Sequence, residues 1–241
     1  MHKYCIGIVL AALSLAGCGG GGDDSDPIAV YAAASLAEVF PEMEPDARYS
    51  FAGSDALATQ IREGALADVY AAASSRDPQE LYADGLVELP VTFATNRLVL
   101  VVPAANPAGI ESPEDLLQAG TRLVLGAEGV PVGDYARAAL AELGLSAALE
   151  NVVSNEDDVK GVSGKVALGE ADAGIVYATD AVPLGDDVLV IELPDSVQPS
   201  IEYQVAVVST SNRKVRAQRF VSTLLSDSGR LGLEQAGFGV P

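Results

Sequence analysis

From Ile28 onward, short apolar runs alternate with stretches of helical spacing, and this alternation limits the fold more than any other feature. The segments "IAVYAA", "RYSFA", "ADVYAAA", "NRLVLVVP", "TRLVLGA", "DAGIVYA", "DVLVIEL" and "IEYQVAVV" read as strands. Helical patterns fall between them: "SLAEVF", "SDALATQIREG", "RDPQELYADG", "PVGDYARAALAELG" and "DDVKGVSGKVALGEA". "SPEDLLQAG" offers Ser112 as N-cap, Pro113 as first helical residue and Gly120 as stop. Two helices, "RKVRAQRFVSTLLSD" and "SGRLGLEQAG", close the chain. Such alternation predicts an α/β fold with mostly parallel sheets. Two extended segments of similar character, "TFATNRLVLVV" and "SIEYQVAVV", lie about a hundred residues apart. As paired crossovers they divide the chain into one lobe of residues 27–94 with 203–241 and a second of residues 95–202. Periodicity alone leaves a single sheet open.

The first residues stand apart from this pattern. Lys3, the apolar run "CIGIVLAALS" and the tetrapeptide Leu15-Ala16-Gly17-Cys18 read as a lipoprotein signal peptide over residues 1–17. The apolar run is too short to span a bilayer as a permanent helix. Cleavage before Cys18 and lipidation of its sulfur are expected, with residues 18–26, "CGGGGDDSD", as a flexible tether. The expected location is the cell envelope, most simply the periplasmic side of a membrane.

Both cysteines and the single histidine, His2, fall in that export segment or at its end. The mature chain therefore has no Ser-His-Asp triad, no Cys-His pair and no His-ligated zinc site. This shifts weight from hydrolysis to binding. The formal charge of −20, about −21 once Lys3 is removed, argues against nucleic acid and anionic lipid surfaces. An anionic ligand would need local donors that work against the global field.

Ligands of open α/β sheets sit at strand C-termini beside helix N-termini. Five positions at such junctions stand out. Ser35 follows "YAAA", Ser54 follows Gly53, Val132 lies in "GVPVGDYA", Val159 in "NEDDVKG", and Tyr177 ends "GIVY". Each alone has a plain explanation as a cap, a turn or a packed ring. Together they offer hydroxyls and backbone N–H groups, with no Lys, Arg or His. Helix N-termini carry unpaired N–H groups and a positive partial charge suited to an oxyanion. The alanines before Ser35 let a small anion approach the backbone. The acids Glu156, Asp157 and Asp158 are expected to face solvent, and the basic residues Arg213, Lys214, Arg216 and Arg219 read as a solvated helix face. Asp172 and Asp180 could be cited for an enzyme with a carboxylate pair, but neither forms a motif.

These pieces resemble a known family. "AAASL", "GSDALATQIREGALADVY", "NRLVLVVP", "VPVGDYARAAL", "EDDVKG", "GEADAGIVYATDA" and the final "GF" occur in the order and spacing of the substrate-binding proteins of bacterial molybdate ABC transporters. The likeness runs from about Ile28 to Phe238. It implies a two-lobe, type II periplasmic-binding-protein-like fold, closing on its ligand and delivering it to an ABC permease. The implied ligand is molybdate or tungstate, held as an oxyanion with no cofactor and no directly coordinated metal. The implied donors are the hydroxyls of Ser35, Ser54 and Tyr177 and the backbone N–H groups of Val132 and Val159. The implied protein is a monomer without enzymatic activity. Sulfate or a small organic anion is the alternative solute. The chain departs from the family in having Val132 where alanine is usual, Gly53 where many relatives have serine, and a shortened segment after Ser35.

Overall fold

The computed structural model describes residues 26–241. The expected signal peptide, the lipidation site Cys18 and all but the last residue of the tether lie outside the described residues. Among the described residues no helix is long and apolar enough to cross a membrane.

The elements follow the alternation seen in the sequence. In chain order they are β1 Ala29–Ala33, α1 Val39–Met43, β2 Arg48–Ala52, α2 Ser54–Arg62, β3 Val69–Ala72, α3 Arg76–Ala83, β4 Val91–Asn96, β5 Leu98–Pro103 and β6 Leu123–Gly126. The chain continues through α4 Pro131–Glu142, β7 Val152–Glu156, α5 Val159–Ala167, β8 Ala173–Tyr177, α6 Ala178–Ala181, β9 Val188–Glu192, β10 Ile201–Val207, α7 Lys214–Leu225 and α8 Asp227–Gln235. Two expected helices are shorter than their patterns suggested. "SLAEVF" breaks into a 3-10 turn at Ala34–Leu36 and the five-residue α1. "SPEDLLQAG" forms a 3-10 turn at Pro113–Leu117, with the Ser112 N–H donating to Asp115 Oδ2 at 2.9 Å.

The strands form two five-stranded sheets, ordered β2-β1-β3-β10-β4 and β7-β6-β8-β5-β9. In each, three neighbouring strands run parallel and a fourth, β10 or β5, is antiparallel to both of its neighbours. Four of five strands in each sheet thus point the same way. The reversed strand in each case is the one that has just arrived from the other sheet. This is a two-lobe α/β fold of type II. Strands buried on both faces read as continuous apolar runs: all of β3, β5, β6 and β8 is buried.

The two passages between sheets lie side by side. The chain leaves the first sheet at Asn96 and enters the second at Leu98; it returns into β10 at Ile201, which pairs with Asn96. The Gln198 side chain acts as an extra strand residue here, accepting from the Leu98 N–H at 2.8 Å and donating to the Leu98 carbonyl at 2.9 Å. These contacts tie both crossings together beneath the cleft.

Candidate oxyanion site

One small cavity, about 20 Å³, lies where the two sheets' strand ends meet. All five positions singled out from the sequence line it. Ser35 and Ser54 come from the first sheet's side; Val132, Val159 and Tyr177 come from the second.

Local structure explains each placement. Ser35 sits in the 3-10 turn that follows β1, where Ala33 and Ala34 also line the cavity and hold side-chain bulk away from it. Ser54 opens α2, and no side chain caps that helix. Val132 is the second residue of α4, after Pro131, and this N-terminus also lacks a side-chain cap. The first turn of a helix leaves its N–H groups without intrahelical partners, and proline at the first position removes one that would be wasted. Val159 opens α5. Tyr177 ends β8, only 1% exposed, and its hydroxyl has no hydrogen-bond partner among the described residues. Burial pushes its ionisation well above the ordinary phenol range, so the group keeps its proton.

Close packing holds the α4 N-terminus in place. A Cβ on Gly133 would lie 2.3 Å from the carbonyl oxygens of both Gly126 and Ala127. A Cβ on Gly126 would lie 2.8 Å from the Gly133 nitrogen. Only glycine at both positions lets helix and strand approach this closely. Gly53 has a related role between the two sides of the cleft: a Cβ there would sit 2.4 Å from the Asp157 carbonyl oxygen. In this arrangement a serine has no room at position 53.

The cavity lining contains no cation. Its one charged residue is Asp158, which corrects the expectation that all three acids of "EDD" face solvent. Asp158 is the N-cap of α5, and its carboxylate accepts from the Gly161 N–H at 3.0 Å. Glu156 is paired with Lys165 at 2.7 Å, and Asp157 is exposed. Two charged contacts flank the cavity and join the two sides. Arg76 reaches Asp134 at 2.8 Å and the Gly129 carbonyl at 2.6 Å. Lys160 lies 3.3 Å from Glu38 and 3.2 Å from Asp180. Burial, together with the Asp158 and Glu38 charges, raises the Asp180 carboxyl to about 6 despite the opposing pull of Lys160. The other carboxylate considered from sequence, Asp172, is spent on Arg122 at 2.7 Å and its backbone N–H at 2.8 Å. Among the basic residues of α7's start, Arg213 contacts Asp26 and Asp68, and Lys214 contacts Glu88.

Sequence reasoning missed the layer behind the donors. Ser54 Oγ accepts from the Ala73 N–H at 3.0 Å, and Ser35 Oγ lies 2.9 Å from Tyr203 Oη. Tyr203 is 168 residues from Ser35, so no local spacing could have signalled the pair.

The model for bacterial extracellular solute-binding proteins matches residues 28–239. The molybdate-binding protein ModA of Mycobacterium tuberculosis is 34% identical over 98% of this chain and 97% of its own length. Among solved structures, the periplasmic molybdate-binding protein of Azotobacter vinelandii superposes with a TM-score of 0.78 at 21% identity, covering 89% of this chain and 99% of that one. The sulfate-binding protein SubI of Mycobacterium tuberculosis does so with a TM-score of 0.72, also at 21% identity, covering 88% and 86%. At that identity the two structural likenesses speak for the fold alone; the identity to ModA, over nearly the full length of both chains, speaks for the family. The chain belongs to the bacterial extracellular solute-binding proteins, in the family of molybdate ABC transporter substrate-binding proteins.

Proposed function

We propose that this protein captures molybdate, and tungstate, outside the cytoplasmic membrane and delivers it to an ABC permease. The observation that carries the reading is the cavity's donor set: neutral O–H and N–H groups from both sheets, with a buried Tyr177 hydroxyl left unpartnered. An unpaired buried hydroxyl is costly, and an anion oxygen would satisfy it. Ser35, Ser54 and Tyr177 donate through hydroxyls; Val132 and Val159 donate through backbone N–H groups. Donors outnumber the one acceptor group in the lining, the Asp158 carboxylate, whose Oδ1 already takes the Gly161 N–H, and this favours a fully deprotonated oxyanion over phosphate that carries a proton near neutral pH. A cavity of about 20 Å³ is not far above the roughly 10–15 Å³ needed for one water, so it favours a compact ion over an extended organic acid. Sulfate carries the same charge on shorter bonds, and a pocket sized for molybdate holds it loosely.

The protein acts as a monomeric carrier, not an enzyme, with no resident cofactor and no nucleic-acid partner. Cleavage of residues 1–17 and lipidation of Cys18 tether it to the envelope, on the periplasmic side, through residues 18–26. Residues 27–94 with 203–241 and residues 95–202 act as two lobes that close on the anion. Their strands support this division, with β4 and β10 each reaching two residues farther into the first sheet at the crossings. Calorimetric titration of residues 27–241, which contain both sheets, tests the reading. Tight one-to-one binding of molybdate and tungstate, with sulfate and phosphate weak or silent, is expected. Silence toward all four anions would reduce the family likeness to one of fold.

A further inference from the structure

A serine hydroxyl has one proton to give and two lone pairs that receive. Whether it can serve an anion depends on what else it touches. Ser54 is settled by the backbone: the Ala73 N–H donates to its Oγ, so the Ser54 proton is left for the cavity. Ser35 is not settled by its own contact, because either oxygen of the Ser35–Tyr203 pair can donate. Asn96 breaks the tie. Its Oδ1 accepts from the Arg97 N–H at 2.9 Å, which fixes the amide orientation. Its Nδ2 then donates to Thr179 Oγ1 at 2.8 Å and to Tyr203 Oη at 3.3 Å. Tyr203 is 0% exposed, and its hydroxyl already accepts. Among the described residues, Ser35 Oγ is the acceptor left for its proton.

We propose that Tyr203 is a positioning residue: held by Asn96, it donates to Ser35 Oγ and thereby commits the Ser35 proton to the oxyanion cavity. This rests on the oxyanion reading above and deepens it. Each serine of the first sheet then has one lone pair taken from behind and its proton free for the anion. The preference for an anion oxygen at Ser35 is therefore set from outside the cavity. Burial holds the Tyr203 phenol far above its ordinary range, so its proton stays in place throughout the working pH range.

The arrangement follows from the crossings. Asn96 is the last residue of β4, at the passage to the second sheet, and Thr179 belongs to α6 on the far side. Tyr203 faces Ala94 while Gln204 faces Thr92, so the ladder slips by one residue at Phe93. Such irregularities re-aim side chains. Edge contacts with Phe93, Tyr177 and Phe238 hold the Tyr203 ring.

The test is a double-mutant cycle read by molybdate calorimetry on residues 27–241, with a thermal melt of each ligand-free protein. Tyr203→Phe keeps the ring and removes the donor. It is expected to weaken molybdate binding about 3- to 10-fold in the wild-type background. In the Ser35→Ala background it is expected to change affinity less than about twofold, because a residue acting through Ser35 has nothing left to position. An equal loss in both backgrounds, or none in the wild type, overturns the proposal. Asn96→Asp is the second variant: the new carboxylate takes the Tyr203 proton and releases Ser35. Its field weakens anion binding in both backgrounds, and the relay predicts a larger loss where Ser35 is present. Equal losses overturn it. A wild type silent toward molybdate defeats the oxyanion reading and the proposal together; a binding wild type with additive variants defeats the proposal alone.

Discussion

The two sheets share a strand order but bring different chemistry to the cleft. The first brings the side-chain hydroxyls of Ser35 and Ser54 to the cavity, Ser54 Oγ accepting from the Ala73 N–H and Ser35 Oγ paired with Tyr203 Oη. The second contributes the N–H groups at the starts of α4 and α5, plus the Tyr177 hydroxyl, which nothing in the described protein partners. Donors of the first kind can be deleted by trimming a side chain. Backbone donors survive any side-chain change other than to proline. A valine at position 132 is thus compatible with the proposed donor role: the side chain lines the cavity while the N–H remains.

The contrast breaks most severely at Gly133. A Gly133→Ala change places a methyl group 2.3 Å from two carbonyl oxygens and must push α4 off β6. We expect a stability loss of about 3 kcal/mol or more, with molybdate binding abolished, measured by denaturant unfolding and calorimetry. Val132→Ala, one residue earlier, should leave affinity nearly unchanged.

The second side also carries a buried charge, Asp180, at 1% exposure. Its folded ionisation is raised from 3.8 to about 6, so the folded protein holds a proton that the unfolded chain has released in that window. The stability it provides is complete below the unfolded value and is lost as pH rises through about 6. The full difference is about 3 kcal/mol. Asp180→Asn should remove this component. The wild-type minus variant stability curve should fall between pH 4 and 6 and flatten above; a flat difference across that range contradicts the assignment.

A finer division separates the hydroxyls themselves. Ser54→Ala and Tyr177→Phe should each weaken molybdate by about 1.5–3 kcal/mol, one to two decades in affinity. Their effects on the empty protein should have opposite signs. Ser54→Ala strands the buried Ala73 N–H and lowers the melting temperature, whereas Tyr177→Phe removes an unpartnered hydroxyl and raises it. Equal signs would mean that the two sides are not built as described.

The smallest effect is expected at the rim. Arg76 and Asp134 join the two sides, but each is more than a third exposed. Arg76→Ala should cost about 0–1 kcal/mol of binding and lose its effect in high salt, measured by titration at two ionic strengths.

Much of this was legible in the sequence, for identifiable reasons. Strands buried on both faces leave unbroken apolar runs, so "NRLVLVVP" and "GIVY" declare themselves. Strand-to-helix junctions leave the short motifs that placed all five lining residues. What stayed hidden depends on contacts between distant segments. The Asn96–Tyr203–Ser35 relay joins three strands or turns from separate parts of the chain. The Gly53–Asp157 approach exists only once the two sides face each other. Asp158 was misjudged because the first turn of α5 presents it both to its own cap and to the cavity. "SLAEVF" carries a helical pattern, yet the turn at Ala34–Leu36 that presents Ser35 interrupts it.

The most direct measurement is the position of a bound heavy oxyanion. Crystals of residues 27–241 grown with tungstate, recorded at the tungsten absorption edge, should give one strong anomalous peak per molecule. The account predicts that peak inside the cavity, with oxygens within hydrogen-bonding distance of Ser35, Ser54 and Tyr177 hydroxyls and of the Val132 and Val159 N–H groups. A peak elsewhere on the molecule, or an empty cavity at saturating tungstate, would contradict it.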